Sequence, residues 1–357
     1  MSLSRRQFLA VVAGPPAAVC LAATASSCTT SPRPEAPPAP PSGAGPAPTT
    51  SEDYGRIGAH RLGPPVGDGS TSVARPQPNQ PAIHVLEPGE RPPQFVVFSW
   101  DGSSALAPDN LARFRRVAAR NHAAMTFFLT GIYLVPERRR KVYDPPGHRR
   151  GASAISFMSA ATVHRTIKEI GQAWVEGNEI GTHFNGHFCG RRGAATWSRS
   201  DWRQELEEVE KFVTRWRTIT GFDDLPPLPF EFSDIVGGRT PCLEGRERLL
   251  PVARSLGWRY DSSGTRTATW PRRDSSGLWN FSMHPVPFGR HRSILPMDYN
   301  FLVNQHGRNT AKNRRRWRRQ MEKSLLAGLK QSLHGNRAPL VIGNHFSPWR
   351  HGIYLDA

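Results

Sequence analysis

From Gln94 onward, short apolar runs alternate with longer stretches whose apolar positions recur every three or four residues. Residues 95–100 read as a strand and 109–121 as the amphipathic helix that follows it. Residues 125–129 form a second strand, 160–176 a helix and 179–182 a short third strand. A long helical stripe covers 201–220, with Ser200 as its N-cap. Helix 245–256 leads to strand 258–260, and further strands are expected at 279–283 and 294–299. A basic helix over 309–333 precedes a last strand at 340–342. Such alternation predicts an α/β fold built on a parallel sheet or barrel, not an antiparallel sandwich.

Polar residues cluster where these strands end. Asp101-Gly102 follows the first strand and Thr182-His183-Phe184-Asn185-Gly186-His187 the third. Arg239-Thr240-Pro241-Cys242 precedes a helix, Asp261-Ser262-Ser263 ends a strand, and Asn344-His345 ends the last one. In barrels of parallel strands the carboxyl ends converge on one face, where the chemistry sits. His183 and His187 have the spacing that brings two imidazoles to one ion, and Asp101 would add a carboxylate oxygen. Two His and a carboxylate with open positions make a hydrolytic zinc pattern, which lowers the pKa of bound water to about 7. A chance pair is the alternative, because the chain holds 13 histidines.

Composition places this chemistry outside the cell. Ser4-Arg5-Arg6-Gln7-Phe8-Leu9 opens a modestly apolar run broken by Pro15 and Pro16, which looks like a twin-arginine export signal. An ordinary basic leader is the alternative. Ala25-Ser26-Ser27-Cys28 resembles a bacterial lipobox, with Cys28 as the lipid-anchored residue and plain cleavage nearby as the other reading. Residues 29–93 hold 16 of the 33 prolines and a single aromatic, Tyr54, so they read as a disordered, semi-extended spacer. Of the four cysteines, Cys189 and Cys242 remain for the folded part. Export favours their pairing, and two reduced buried thiols are the alternative.

With these motifs in place, the chain resembles the polysaccharide deacetylases of carbohydrate esterase family 4, whose domain has nodulation-protein-B homology. The resemblance runs from Gln94 to the end and is carried by Phe98-Ser99-Trp100-Asp101-Gly102, Glu179-Ile180-Gly181-Thr182-His183 with His187, Arg239-Thr240-Pro241 and Ile342-Gly343-Asn344-His345. It implies a single catalytic domain over 94–357, a distorted (β/α) barrel of mostly parallel strands. It also implies a metal-dependent hydrolase that removes acetyl groups from peptidoglycan, chitin-like polymers or xylan. By the same resemblance Asp101, His183 and His187 hold a divalent metal, most naturally Zn2+. The backbone N–H of Cys242 lines the oxyanion hole, His345 protonates the leaving group, Asp261 orients or charge-tunes it, and Arg239 belongs to the catalytic set, with a structural strand-end ion pair as the alternative.

The sequence departs from that family in three places. Trp100 stands where the first of two adjacent aspartates, the catalytic base, is usual, leaving Asp298, Glu231 or Asp234 as candidate substitutes. Cys242 replaces a Tyr, and with Cys189 just beyond His187 a disulfide would brace two active-site loops. Only 12 residues follow His345, which suggests a short or truncated C-terminal end. The loss at Trp100 opens a different class of function, a carbohydrate- or wall-binding protein that keeps the metal scaffold without turnover.

Charge separates the possible partners. The formal net charge is +18, and residues 305–337 alone contribute ten basic side chains against Glu322. Nucleic acid is excluded as a partner by export, leaving an acetylated polysaccharide substrate and an anionic cell envelope. The expected location is the outer face of the bacterial membrane as a lipoprotein, or the medium as a secreted protein.

Overall fold

The computed structural model describes residues 62–73, 76–106 and 109–357. The twin-arginine stretch, Cys28 and residues 29–61 of the Pro-rich segment lie outside the described residues. Strands β1 (Pro65–Val66) and β2 (Thr71–Ser72) form a small antiparallel hairpin. Next come β3 (Val96–Ser103), β4 (Thr126–Leu129), β5 (Glu179–Thr182), β6 (Gly237–Gly238), β7 (Tyr260–Asp261), β8 (Arg272–Arg273) and β9 (Trp279–Asn280). A second hairpin, β10 (Val286–Phe288) with β11 (Arg292–Ile294), precedes β12 (Leu340–His345). The helices that matter below are α1 (Asn110–Arg120), α2 (Ala160–Val175), α3 (Arg199–Thr214), α4 (Trp216–Thr220), α5 (Arg246–Ser255), α6 (Asp298–Asn304) and α7 (Ala311–His334). Among the described residues no helix is long and apolar enough to cross a membrane.

Eight strands share one sheet in the order β12-β3-β4-β5-β6-β7-β9-β8, parallel throughout except for β8. Its curvature follows from one contact. In a flat sheet β6 would lie about 14 Å from β3, three strand spacings away. Yet Arg239, directly after β6, places Nη1 2.7 Å from Asp101 Oδ1 on β3. The sheet therefore wraps around its own interior as a distorted (β/α) barrel. Met283, Met297 and Val341 pack together inside it, and Met297 bridges Gly343 on the free side of β12.

The predicted elements recur with local differences: the helix expected over 201–220 breaks at Arg215 into α3 and α4, and three others follow. Helix α3 starts two residues early because Ser198, not Ser200, is its N-cap. The Ser198 Oγ accepts the Asp201 N–H at 3.2 Å, and Asp201 Oδ2 accepts the Ser198 N–H at 2.8 Å. The run expected as a strand at 294–299 divides instead. Pro296 has no N–H for a ladder, so β11 stops at Ile294 and α6 begins at Asp298.

The last difference concerns the Pro-rich segment, whose later part packs onto the domain before residue 94. Trp216 Nε1 donates to the Ser70 carbonyl at 2.6 Å, and Ser70, Thr71 and Ser72 are buried. The Gln77 amide donates to the carbonyls of Trp174 and Asn178, and those of Asn79 and Gln80 to Val175 and Gly177. The last carbonyls of a helix have no intrahelical partner. These amides supply partners at the end of α2, just before β5 carries the chain to His183.

Trp100 does not occupy a catalytic position. Successive side chains of a strand face opposite ways, so Ser99 and Asp101 enter the barrel while Trp100 points out beneath α1. It is buried there, 4.6 Å from the Phe346 ring and 4.0 Å from that of Phe114. Trp100→Ala is expected to destabilise the protein by about 3–5 kcal/mol in urea unfolding. Trp100→Asp is expected to lose stability as well and to gain no activity, because the new carboxylate would be buried among aromatic rings away from Asp101.

Candidate active site

The chemistry-bearing residues stand at one level around the barrel rim. Register pairs His345 of β12 with Asp101 of β3, and Gly238 of β6 with both Thr182 and Asp261. His183 and Arg239 are the residues directly after Thr182 and Gly238.

Arg239 is wholly buried and links the others. Its Nη1 donates to Asp101 Oδ1 at 2.7 Å and to Ser99 Oγ at 2.8 Å. Nε and Nη2 donate to the carbonyl and hydroxyl of Ser262 at 3.1 and 2.9 Å. The Arg239 carbonyl accepts the Nδ1–H of His183 at 2.8 Å, which leaves His183 Nε2 with the free lone pair. Burial alone would raise the pKa of Asp101, but Arg239, with help from His183 and His345, overrides it and holds this carboxylate below its usual range.

His345 is set the opposite way. Burial would lower its pKa, yet Asp298 outweighs burial and raises it. Asp298 Oδ1 accepts the His345 Nδ1–H and Oδ2 the His345 backbone N–H, both at 2.7 Å, from a carboxylate that is itself buried. The residue expected to orient His345 was Asp261, and the structure places it elsewhere. Arg246 of α5 reaches Asp261 first, with Nε 2.7 Å from Oδ2, and the Ser263 N–H occupies Oδ1 at 3.1 Å. Of the three candidate substitute bases, only Asp298 comes to the site, as the partner of His345. Glu231 and Asp234 cap each other across the turn Phe232–Asp234.

A buried network fixes the loop between the two histidines. Phe184 and His187 both adopt left-handed backbone, φ 59° and 53°, which side chains disfavour. Glu205 of α3 holds that conformation. Its Oε1 accepts the N–H groups of Asn185 at 2.9 Å and Gly186 at 3.4 Å, its Oε2 accepts the Tyr143 hydroxyl at 2.7 Å, and its carbonyl accepts the Asn185 amide. Glu205 carried no sign of this role in the sequence, where it is one more acidic residue on an amphipathic helix. Beyond the loop, Cys189 is disulfide-bonded to Cys242, tying the segment after β5 to the turn after β6. Cys242 itself has φ 56°.

The donors fit a divalent cation in part. Burial lowers the pKa of His183, and burial with the neighbouring His183 and His345 lowers that of His187 to about 3, so both imidazoles are neutral lone-pair donors. Their ring centroids lie 5.2 Å apart. Asp101 is expected as the third ligand, but one of its oxygens is engaged by Arg239. Among the described residues, the set of three donors whose ligand atoms all lie within 4.8 Å of one another is His187, Cys189 and Cys242. Their two sulfurs are joined to each other and offer no thiolate.

Burial raises the pKa of Glu205 to about 7 against its partially compensating hydrogen bonds. A carboxyl that binds its proton more tightly when folded loses stability as pH rises from its unfolded value toward its folded one. Stability is therefore expected to fall between about pH 4.5 and 7, by up to about 3 kcal/mol from this group. Glu205→Gln, which mimics the neutral acid, is expected to flatten that decline in urea unfolding measured across the range.

No protein-family model matches the sequence, and no curated protein does. Solved structures do. A Mycobacterium smegmatis protein assigned as a polysaccharide deacetylase is 16% identical, with a TM-score of 0.43 over 74% of this chain and 81% of its own. A carbohydrate esterase family 4 pseudoenzyme from Bacillus anthracis is 10% identical, with a TM-score of 0.36 over 77% and 66%. A family 4 carbohydrate esterase from Streptomyces lividans, solved with acetate, is 13% identical, with a TM-score of 0.35 over 73% and 84%. The solved structures to which the chain is similar thus include both enzymes and pseudoenzymes of carbohydrate esterase family 4.

Proposed function

We propose that this chain is a divergent carbohydrate esterase family 4 hydrolase that removes acetyl groups from an exported or wall-associated polysaccharide. The observation that carries the reading is the register pair Asp101 and His345, a carboxyl held below its usual pKa by Arg239 beside an imidazole held above its own by Asp298. Two titratable groups displaced in opposite senses make an acid and a base available at one pH. Asp101, not a residue at position 100, takes the proton of the attacking water. Arg239 keeps it ionised between turnovers. His345 then gives its proton from Nε2 to the departing amine or alcohol, and Asp298 stabilises the imidazolium meanwhile. The Cys242 backbone N–H is the proposed oxyanion donor. His183 and His187 would hold a divalent cation, Zn2+ by donor type, which when bound polarises the acetyl carbonyl and acidifies water.

Export by the twin-arginine route and anchoring at Cys28 belong to the same proposal and rest on residues 4–28. A second reading, a carbohydrate-binding protein without turnover, is favoured by one feature. Asp101 is committed to Arg239 and does not complete a compact triad with the imidazoles.

Acetate release from acetylated chitin, peptidoglycan and xylan fragments decides between them. Chelator and His183→Ala are expected to abolish release. Asp101→Asn and His345→Gln are each expected to cut kcat by about 10²- to 10⁴-fold. The rate should fall at low pH as Asp101 protonates, below the usual carboxylate range, and at high pH as His345 loses its proton, above 6.5. Asp298→Asn should move the alkaline limb to lower pH. Binding of these fragments with no release from any of them would establish the second reading.

A further inference from the structure

Away from the rim lies a cavity of about 720 Å3 between α7 and the β10–β11 hairpin. Arg316, Arg319 and Lys323 of α7 and Arg292 of β11 line it over a floor formed with Phe288 and Trp317. No Asp or Glu lines it, and none of Asp101, His183, Arg239 or His345 does. All four cations are exposed, and none is in an ion pair among the described residues. The single acid of this segment, Glu322, is engaged with Arg318 outside the cavity, at 2.8 Å.

The placement works against the helix that carries it. Residues three and four apart on a helix are neighbours, so Arg316, Arg319 and Lys323 repel one another along one stripe. The first turn of α7 has no acidic residue, and the basic run begins within its first turns, where the macrodipole disfavours cations. An anion lying in the groove relieves both penalties at once. Guanidinium forks match carboxylate and phosphate oxygens equally well. Helix α6 connects this groove to the rim: Asp298, the partner of His345, starts it, and Asn304 at its other end lines the cavity. Seven helical residues span about 10 Å.

We propose that the groove binds an anionic polysaccharide, its carboxylate or phosphate groups held by Arg292, Arg316, Arg319 and Lys323. The adjoining part of the polymer then reaches His345. The second statement rests on the hydrolase reading, and the first does not.

Binding of the full chain to an oligogalacturonate and to a phosphorylated oligomannan, followed calorimetrically from low to moderate salt, tests it. Arg316→Gln/Arg319→Gln is compared with Arg272→Gln/Arg273→Gln, which removes the same charge from exposed β8. The groove variant is expected to bind at least about tenfold more weakly, with the slope of log affinity on log salt smaller by about two. The β8 variant should stay within about twofold. Whichever oligomer binds more tightly identifies the anion. Equal losses in both variants, no binding of either oligomer, or equal displacement by duplex DNA would overturn the proposal. The substituted side chains are exposed, so melting temperatures should match, and Lys323→Gln repeats the comparison if they do not. Acetate release from a neutral chitin fragment should be unchanged in the groove variant. Loss of binding confined to that variant would uphold the groove even if no acetate were released by the wild type, an outcome that would sink the hydrolase reading alone.

Discussion

A fully buried guanidinium cannot give up its proton, so whatever surrounds Arg239 must satisfy it. The barrel does this with one carboxylate, two hydroxyls and a carbonyl drawn from β3 and from the end of β7. The geometry of the rim follows. Arg239 fixes the curl of the sheet by spanning its interior, holds Asp101 ionised, and through its carbonyl fixes the tautomer of His183. Removing one partner of such a pair leaves an uncompensated buried charge, typically about 3–5 kcal/mol. Arg239 is thus tied to the fold and to the chemistry by the same bonds.

The site then separates its two buried aspartates by what each one faces. Asp101 faces a cation that never titrates, so it stays ionised while its affinity for a proton is lowered. Asp298 faces an imidazole that does titrate, so its charge is spent raising the affinity of His345 for a proton. The same residue type supports a base in one case and an acid in the other. The difference lies in whether the neighbouring cation is permanent.

How much of this could be read from the chain depends on the range of the interaction. The strand ends at Asp101, His183, Arg239 and His345 were legible because apolar runs bounded by polar residues are a local signal. The side on which Trp100 falls was not, since neighbouring residues of a strand face opposite ways and the motif does not say which of the two enters the barrel. The partnership of Asp298 with His345 joins positions 47 residues apart through a turn that reads as a strand. Glu205 sits on a helix whose apolar stripe explains its spacing without any loop to support. The proline-rich composition of 29–93 reads as a disordered spacer, yet 62–80 pack onto the domain. Their Gln and Asn side chains bind helix-end carbonyls that only exist once α2 has formed.

These non-local contacts divide the rim into two halves that are constrained differently. His183 is held from behind by the Arg239 carbonyl. His187 is held by a loop pinned at Asn185 and Gly186 by Glu205, and two residues later by the Cys189–Cys242 bridge. The imidazole pair is therefore positioned by hydrogen bonds, those of Glu205 among them, and a covalent link, and by no ion pair among the described residues. The acid–base pair, Asp101 with His345, is positioned by two charge pairs instead. pH acts on both halves, through His345 in the second and through Glu205, which burial pushes up to about 7, in the first. Arg239, which contributes its side chain to one half and its carbonyl to the other, is the point at which they are joined.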